Sequence, residues 1–207
     1  MVCFCRVSRG NDGCYRPACA VAWERTEASK RGPSTLESLT IRRPQQSAAR
    51  GVLEVDWPFF GELCRALALR VAKEYQPEIV LGIAKAGVIP GVVVASIMQC
   101  DFVSMVVTRE EAGAEPIVVS GPPPSIRGRR VLVVDETCDT GSTMKLAMNE
   151  VRGLRPAEAK SAVSFKTGEF TPDFHAFETD NFIILPWDRE IIQGGELIVR
   201  PDYAARL

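Results

Sequence analysis

VLVVDETCDTGST, residues 131–143, runs four apolar residues into two adjacent carboxylates and then into a loop of Asp, Thr, Gly, Ser and Thr. Val131 to Val134 has the continuous apolar, β-branched character of a strand buried on both faces, as in a parallel sheet. Asp135 and Glu136 follow at its carboxyl end. Successive side chains of an extended chain point to opposite sides, so the two acids can grip different hydroxyls, or a metal ion shared with a substrate. Asp139-Thr140-Gly141-Ser142-Thr143 then leads into a helical pattern from Met144 to Leu154. The open N–H groups of a helix start, with hydroxyls beside them and Gly141 allowing close approach, make a cradle for a phosphate. Acids for a sugar and amides for a phosphate, a few residues apart, describe a grip on ribose 5-phosphate. The plainer alternative is that Thr140 or Ser142 caps the helix and the acids are solvated. The loop is not a Walker loop, since no Gly-x4-Gly-Lys-Ser/Thr is present.

The surrounding sequence repeats the alternation of strand and helix. Trp57-Pro58 opens a helix whose face carries Phe59, Leu63, Leu67 and Val71, and Pro77 ends it. Strands are predicted at 79–84 (IVLGIA), 103–108 (VSMVVT), 161–165 (SAVSF) and 182–185 (FIIL), and a second helix from near Pro90. This order predicts an α/β fold: an open, mostly parallel twisted sheet flanked by helices on both faces, with a small C-terminal hood. Residues 110–130 hold Gly113, Pro116, Gly121 and three consecutive prolines, a long connection with room for one short hairpin at Ile117-Val118-Val119. Connections of that length are often functional, and 110–125 is read as a lid. Open sheets bind ligands at the carboxyl ends of their strands. That rule gathers Lys85-Ala86-Gly87, Asp135 to Thr143, and Lys166 on one rim.

Composition bounds the reading. The 207 residues suffice for one domain with a real core. No apolar run reaches the roughly 18 residues of a membrane span, and MVCFCRVSRG is not followed by the apolar core of a secretory signal. Seven scattered cysteines fit reduced thiols, so a cytoplasmic protein is expected. Residues 1–50 carry nine Lys/Arg against four Asp/Glu, about +5, whereas the remainder carries 16 against 22, a net of −6. Residues 1–50 also lack periodicity and read as a basic, disordered extension to a domain at 51–207. Cys3, Cys5, Cys14 and Cys19 leave a zinc site open there, although the spacing is not the usual paired one and the sole histidine is His175. A start of translation near Val52 is a further alternative.

VLVVDETCDTGST resembles the phosphoribosyl pyrophosphate motif of type I phosphoribosyltransferases. The resemblance runs from Val52 to near the C-terminus and leans towards the purine salvage enzymes. VDWPFFGELCRALALRVAKE with EIVLGIAKAGVIPGVVVAS is similar to the opening of xanthine-guanine phosphoribosyltransferases, and SAVSFK with NFIILPWD to their lysine-bearing strand and purine-stacking segment. The resemblance implies a reaction: a 6-oxopurine (guanine, xanthine or hypoxanthine) and phosphoribosyl pyrophosphate give a nucleoside 5′-monophosphate and pyrophosphate, with Mg²⁺. It implies that Asp135 and Glu136 hold the ribose hydroxyls and that Asp139 is the general acid/base near N7. Thr140, Gly141, Ser142 and Thr143 would take the 5′-phosphate. Ala84, Lys85, Ala86 and Gly87 would take the pyrophosphate, in a turn that can include a cis peptide. Lys166 would donate to the 6-oxo group, Phe182 would stack on the base, Ile183 would offer main-chain contacts, and Asp188 would reach the metal. It also implies a homo-oligomer, dimer or tetramer. The Glu136 position is more often Asp in this family, and Ala86 stands where glycine is common.

Each of these residue types also has an ordinary use. Lysine at a strand end is usually solvated, and phenylalanine is usually core. Trp187 suits packing between sheet and hood, His175 a structural or surface role, and Cys138 is read as unreactive. A different reading keeps the fold but makes the chain a regulator that senses phosphoribosyl pyrophosphate and binds nucleic acid. It would want a basic face, and the acidic balance after residue 50 argues against nucleic acid as a partner.

Overall fold

The computed structural model describes residues 51–111 and 113–204. The expectations for residues 1–50, including the cysteines there, lie outside the described residues.

Six strands form the main sheet, in the order β4-β3-β2-β5-β6-β7: β2 (Ile79–Ala84), β3 (Asp101–Thr108), β4 (Ile117–Ser120), β5 (Arg130–Cys138), β6 (Glu158–Lys166) and β7 (Phe174–Glu178). All neighbouring pairs are parallel except β3 with β4, the antiparallel hairpin at one edge. Three helices cover it: α1 (Trp57–Glu74), α2 (Val88–Met98) and α3 (Ser142–Gly153). The alternation of side chains sorts the core into two layers. Ile79, Leu81, Val131, Val133 and Val163 pack with Met144, Ala147, Met148 and Val151 of α3. Val80, Leu132, Val134 and Ala162 pack with Leu67, Ala68 and Val71 of α1 and Val94 and Ala95 of α2. Both faces are therefore buried, which is why VLVV carries no polar residue. Each fully buried Leu or Val stabilises the fold by about 1.5–3 kcal/mol relative to its exposed state.

Helix α1 starts as its sequence suggests. Asp56 accepts a hydrogen bond from Phe59 N at 2.8 Å, and proline occupies the first turn. Phe59, Leu63, Leu67 and Val71 are all buried.

Several elements differ from the pattern-based expectation. Helix α2 begins at Val88, just ahead of Pro90, and β3 starts two residues before Val103. Strand β5 does not stop at Val134 but continues through both acids to Cys138. The FIIL segment is a short strand, β8 (Phe182–Ile184), paired in parallel with β1 (Val52–Glu54) outside the main sheet. Strand β7, whose sequence FHAFE sets His175 and Ala176 between two phenylalanines, and strand β1 are not among the predicted strands. The segment after 185 holds the hairpin β9 (Glu190–Gln193) and β10 (Glu196–Val199) and the short helix α4 (Pro201–Ala204), which make up the expected small C-terminal addition. Trp187, expected between sheet and hood, packs on α1, with ring centroids 4.7 Å from Phe60 and 5.7 Å from Trp57. Of the long 110–130 connection, 117–120 is strand β4 and 124–126 a single 3₁₀ turn. Among the described residues, no helix is long and apolar enough to cross a membrane.

Candidate active site at the strand switch point

Chain order fixes where a site can form. From β2 the chain crosses by α2 to β3 on one side, and from β5 it crosses by α3 to β6 on the other. β2 and β5 are hydrogen-bonded neighbours, in register from Ile79↔Val131 to Gly82↔Val134. Their carboxyl ends therefore open into the crevice where the strand order reverses, the place where such sheets hold ligands. The turn from Ala84 to Gly87 leaves β2 there, and the end of β5 from Asp135 to Cys138, with the loop on to Thr143, lies there as well.

The two segments touch. The Ala84–Lys85 peptide is cis. A Cβ added to Gly87 would lie 2.7 Å from Asp135 Oδ1 and 2.7 Å from Ile83 O, so only glycine lets the turn sit this close to the acid. Asp135 is 8% exposed, and its Oδ1 accepts Glu136 N at 3.0 Å. Burial, followed by the neighbouring Glu136 carboxylate, pushes its carboxyl well above the usual range. Glu136, on the opposite side of the strand, is half-buried.

Gly141 takes φ +76° and opens α3 with no side-chain cap. Neither Thr140 nor Ser142 therefore serves as the side-chain cap of this helix. Thr140 Oγ1 only receives a long contact from Ser142 N at 3.4 Å, so the first-turn amides stay available for an anion. A Cβ on Gly141 would lie 2.2 Å from Cγ of Phe170, whose ring from the β6–β7 loop covers the glycine. Lys145 Nζ lies 5.3 Å from the centroid of that ring. A Cβ on Gly168 would fall 2.1 Å from Asp139 Oδ1. Thr167 N and Oγ1 both donate to Cys138 O, at 2.9 and 3.2 Å. The β6–β7 loop therefore braces the loop after β5 from above.

A cleft of about 840 Å³ is lined by Asp135, Asp139 and the whole Thr140–Thr143 loop, together with Arg109. Asp139 also borders a smaller cavity of about 370 Å³ with Phe182, Ile183, Asn181 and Thr167. The Phe182 ring stands edge-on to Tyr203, with centroids 5.6 Å apart. Two predicted residues are engaged elsewhere. Lys166, at the end of β6, pairs with the Glu178 carboxylate of β7, whose pKa that bond lowers. Asp188 accepts from Arg200 and from the Tyr203 hydroxyl. Cys138 is buried, and burial with the nearby Asp135 and Asp139 pushes its thiol up to about 11.

Arg109, Gly168, Phe170 and Glu178 were not singled out from sequence. Only Arg109 had a usable signal: it follows the carboxyl end of β3, where the rim rule that selected Lys166 also applies.

A profile of the phosphoribosyl transferase domain matches residues 55–196. The chain is 26% identical over 163 residues to a xanthine-guanine phosphoribosyltransferase of Nitratidesulfovibrio vulgaris, covering 73% of this chain and 94% of that protein. A xanthine-guanine phosphoribosyltransferase of Gluconobacter oxydans is 27% identical over 143 residues, 65% of this chain and 83% of its own length. Among solved structures, a purine phosphoribosyltransferase from Pyrococcus horikoshii superimposes with a TM-score of 0.62 at 26% identity, over 70% of this chain and 99% of that one.

Proposed function

Because the chain belongs to the phosphoribosyl transferase family, we propose that it transfers the 5-phosphoribosyl group from phosphoribosyl pyrophosphate to a 6-oxopurine base. Guanine, xanthine and hypoxanthine are the candidate acceptors, and the products are a purine nucleoside 5′-monophosphate and pyrophosphate. The observation that carries this reading is the neighbourhood of Asp135: Gly87 of the β2 turn against one side, and the uncapped start of α3 six residues on. The names of the relatives support a purine as acceptor.

In this reading the C1′–oxygen bond to pyrophosphate breaks and a bond from C1′ to a purine nitrogen forms. Positive charge builds on the ribosyl ring in between. Asp135 and Glu136 hold the ribose hydroxyls, and Thr140 to Thr143 hold the 5′-phosphate through amides and hydroxyls. Ala84 to Gly87 binds the departing pyrophosphate with backbone amides and Lys85. Asp139 takes the purine's proton at N7, an effect typically worth about 10²–10⁴-fold. Phe182 and Ile183 receive the base, and Lys166 donates to its 6-oxo group, which favours oxo over amino purines. To do so Lys166 must turn from Glu178, a surface partner that holds it weakly.

Among the described residues no three His, Cys, Asp or Glu side chains converge on a cation site. Mg²⁺ keeps several waters and takes one or two carboxylates besides substrate phosphates, so two carboxylates are enough to hold it. Asp135 and Glu136 are the carboxylates best placed for it, and Asp188 would join only by exchanging Arg200 and Tyr203 for the ion. When bound, Mg²⁺ neutralises charge on the pyrophosphate. The proposal includes a homo-oligomer, dimer or tetramer, which sedimentation of the purified chain tests.

The test of function is a base panel assayed for pyrophosphate release, with and without Mg²⁺. Turnover of guanine, xanthine or hypoxanthine is expected. Adenine or orotate winning would overturn the 6-oxopurine assignment, and a salt-dependent nucleic-acid shift with no turnover would replace the enzyme by a regulator.

A further inference from the structure

The loop after β5 offers amides and hydroxyls to a phosphate, but none of its residues from Thr140 to Thr143 carries a positive charge. Asp135, Asp139 and Glu115 line the same cleft, so a dianion entering it meets acidic side chains. Two cations line it as well. Lys145 Nζ is directed to Thr140 O at 3.4 Å and to the Phe170 ring. Arg109 is placed differently. It arrives from the end of β3, on the far side of β2 from β5, and its guanidinium reaches across to the start of α3. One terminal nitrogen donates to Ser142 Oγ at 2.6 Å and to Thr143 Oγ1 at 3.2 Å, and the other donates to Ala114 O. Arg109 is half-buried there.

Neutral hydroxyls are weak acceptors for a guanidinium. Charge-assisted bonds to phosphate oxygen are about twice as strong, and the planar fork of arginine suits phosphate geometry. Ser142 and Thr143 can rotate their hydroxyls to donate to an anion as readily as they accept from Arg109. The arrangement is thus complementary to a phosphate: three groups that bond one another can all be turned to point at it.

We propose that Arg109 is a substrate-binding residue supplying the fixed positive charge of the 5′-phosphate site, so that the cleft selects phosphorylated pentoses over free ones. This rests on the phosphoribosyltransferase reading, and adds to it a residue from outside the motif. Ala114 O holds one end of the fork, and the hydroxyls of Ser142 and Thr143 hold the other in position between turnovers. Arg109 therefore acts on the sugar phosphate and leaves the base alone.

The experiment is isothermal titration of the full chain with guanosine 5′-monophosphate and with guanosine, for the natural protein and for Arg109→Gln, Arg109→Lys and Arg109→Ala. Glutamine keeps a donor for the hydroxyls but removes the charge. Losing one charge-assisted contact predicts that Arg109→Gln and Arg109→Ala bind the monophosphate about tenfold to a hundredfold more weakly. Guanosine affinity should stay within about twofold. Arg109→Lys should retain most of the preference for the phosphorylated ligand. A merely structural arginine would weaken both ligands together, and that result overturns the proposal. So does a glutamine variant that keeps the natural preference. If the natural protein binds neither the monophosphate nor phosphoribosyl pyrophosphate, the transferase reading itself falls and this inference goes with it.

Discussion

Replacing Gly141 by alanine tests the phosphate loop most directly, because the structure separates two penalties at one atom. The first is conformational: φ of +76° is a left-handed geometry that disfavours an L side chain by roughly 1–2 kcal/mol. The second is steric. The new methyl would lie 2.2 Å from Phe170 Cγ and 2.4 Å from Cδ2, so ring and loop must separate by roughly an ångström or more to reach ordinary carbon contact. Overpacking of this kind costs about 1–3 kcal/mol. Gly141→Ala should therefore destabilise by about 2–5 kcal/mol, measured from urea midpoints at unchanged m. Phe170→Ala removes the steric part and leaves the conformational part. The double variant should accordingly be more stable than the sum of the singles by about 1–3 kcal/mol, a coupling that a double-mutant cycle isolates. Titration with guanosine 5′-monophosphate should show weakened binding in Gly141→Ala and partial recovery in the double variant. Additive effects within about 0.5 kcal/mol, or a single variant costing less than that, would refute the packing of Phe170 on this glycine and the loop geometry with it.

Other consequences follow from neighbouring residues. Asp135 keeps its proton to higher pH in the folded chain than in the unfolded one, so its contribution is intact below the ordinary carboxylate pKa of about 4 and declines as pH rises through the raised value. Asp135→Asn should thus gain stability over the natural protein as pH climbs from about 4, by up to about 1.4 kcal/mol per unit, while losing its grip on ribose; parallel unfolding curves for the two proteins at every pH would contradict this. Asp139→Asn should keep substrate binding and lose at least about tenfold in kcat, and an unchanged kcat would remove its role as acid/base. Gly168→Ala would place a methyl 2.1 Å from Asp139 Oδ1 and should lower kcat in the same way without altering any charge. Cys138, with its thiol pushed up to about 11, should resist iodoacetamide at pH 7.5 in peptide mapping of the folded chain; prompt labelling would show the thiol more accessible and more acidic than its burial allows.

What the sequence made legible was local. Strand β5, its two acids and the following loop lie within fourteen residues, Arg130 to Thr143, and their order alone encodes a buried strand ending at a helix start. The alternation of strands and helices encodes the sheet, because parallel strands need crossovers. Less legible was whatever depends on contacts between distant segments. Strand β8 reads like a core strand, yet it pairs with β1, some 130 positions earlier in the chain, and leaves the main sheet. The period of β7 is too mixed to declare it: FHAFE has no regular alternation of polarity, and only Phe174 is fully buried. Phe170 and Gly168 carry no motif of their own and matter only because β6 and β5 are neighbours. Asp135 looked like an acid at an exposed rim, but β5 runs three residues further and buries it.

The features around Asp135 and Gly141 share a physical pattern. A buried carboxylate, a helix without a side-chain cap and a glycine closed over by an aromatic ring each break a local rule of stability. All three occur between the end of β2 and the start of α3, around one crevice. The scaffold helices show the ordinary rules at work: α1 has its Asp56 cap and its apolar face, and α3 packs Met144, Ala147, Met148 and Val151 on the sheet as its periodicity demands. Local exceptions scattered through a fold would read as noise in the sequence. Exceptions gathered where the strand order reverses, each leaving donors or acceptors turned towards the same opening, are what a binding site requires of a stable scaffold. Arg109 fits the same logic from the other direction, because a guanidinium bonded to two hydroxyls is a poor use of charge until an anion is placed between them.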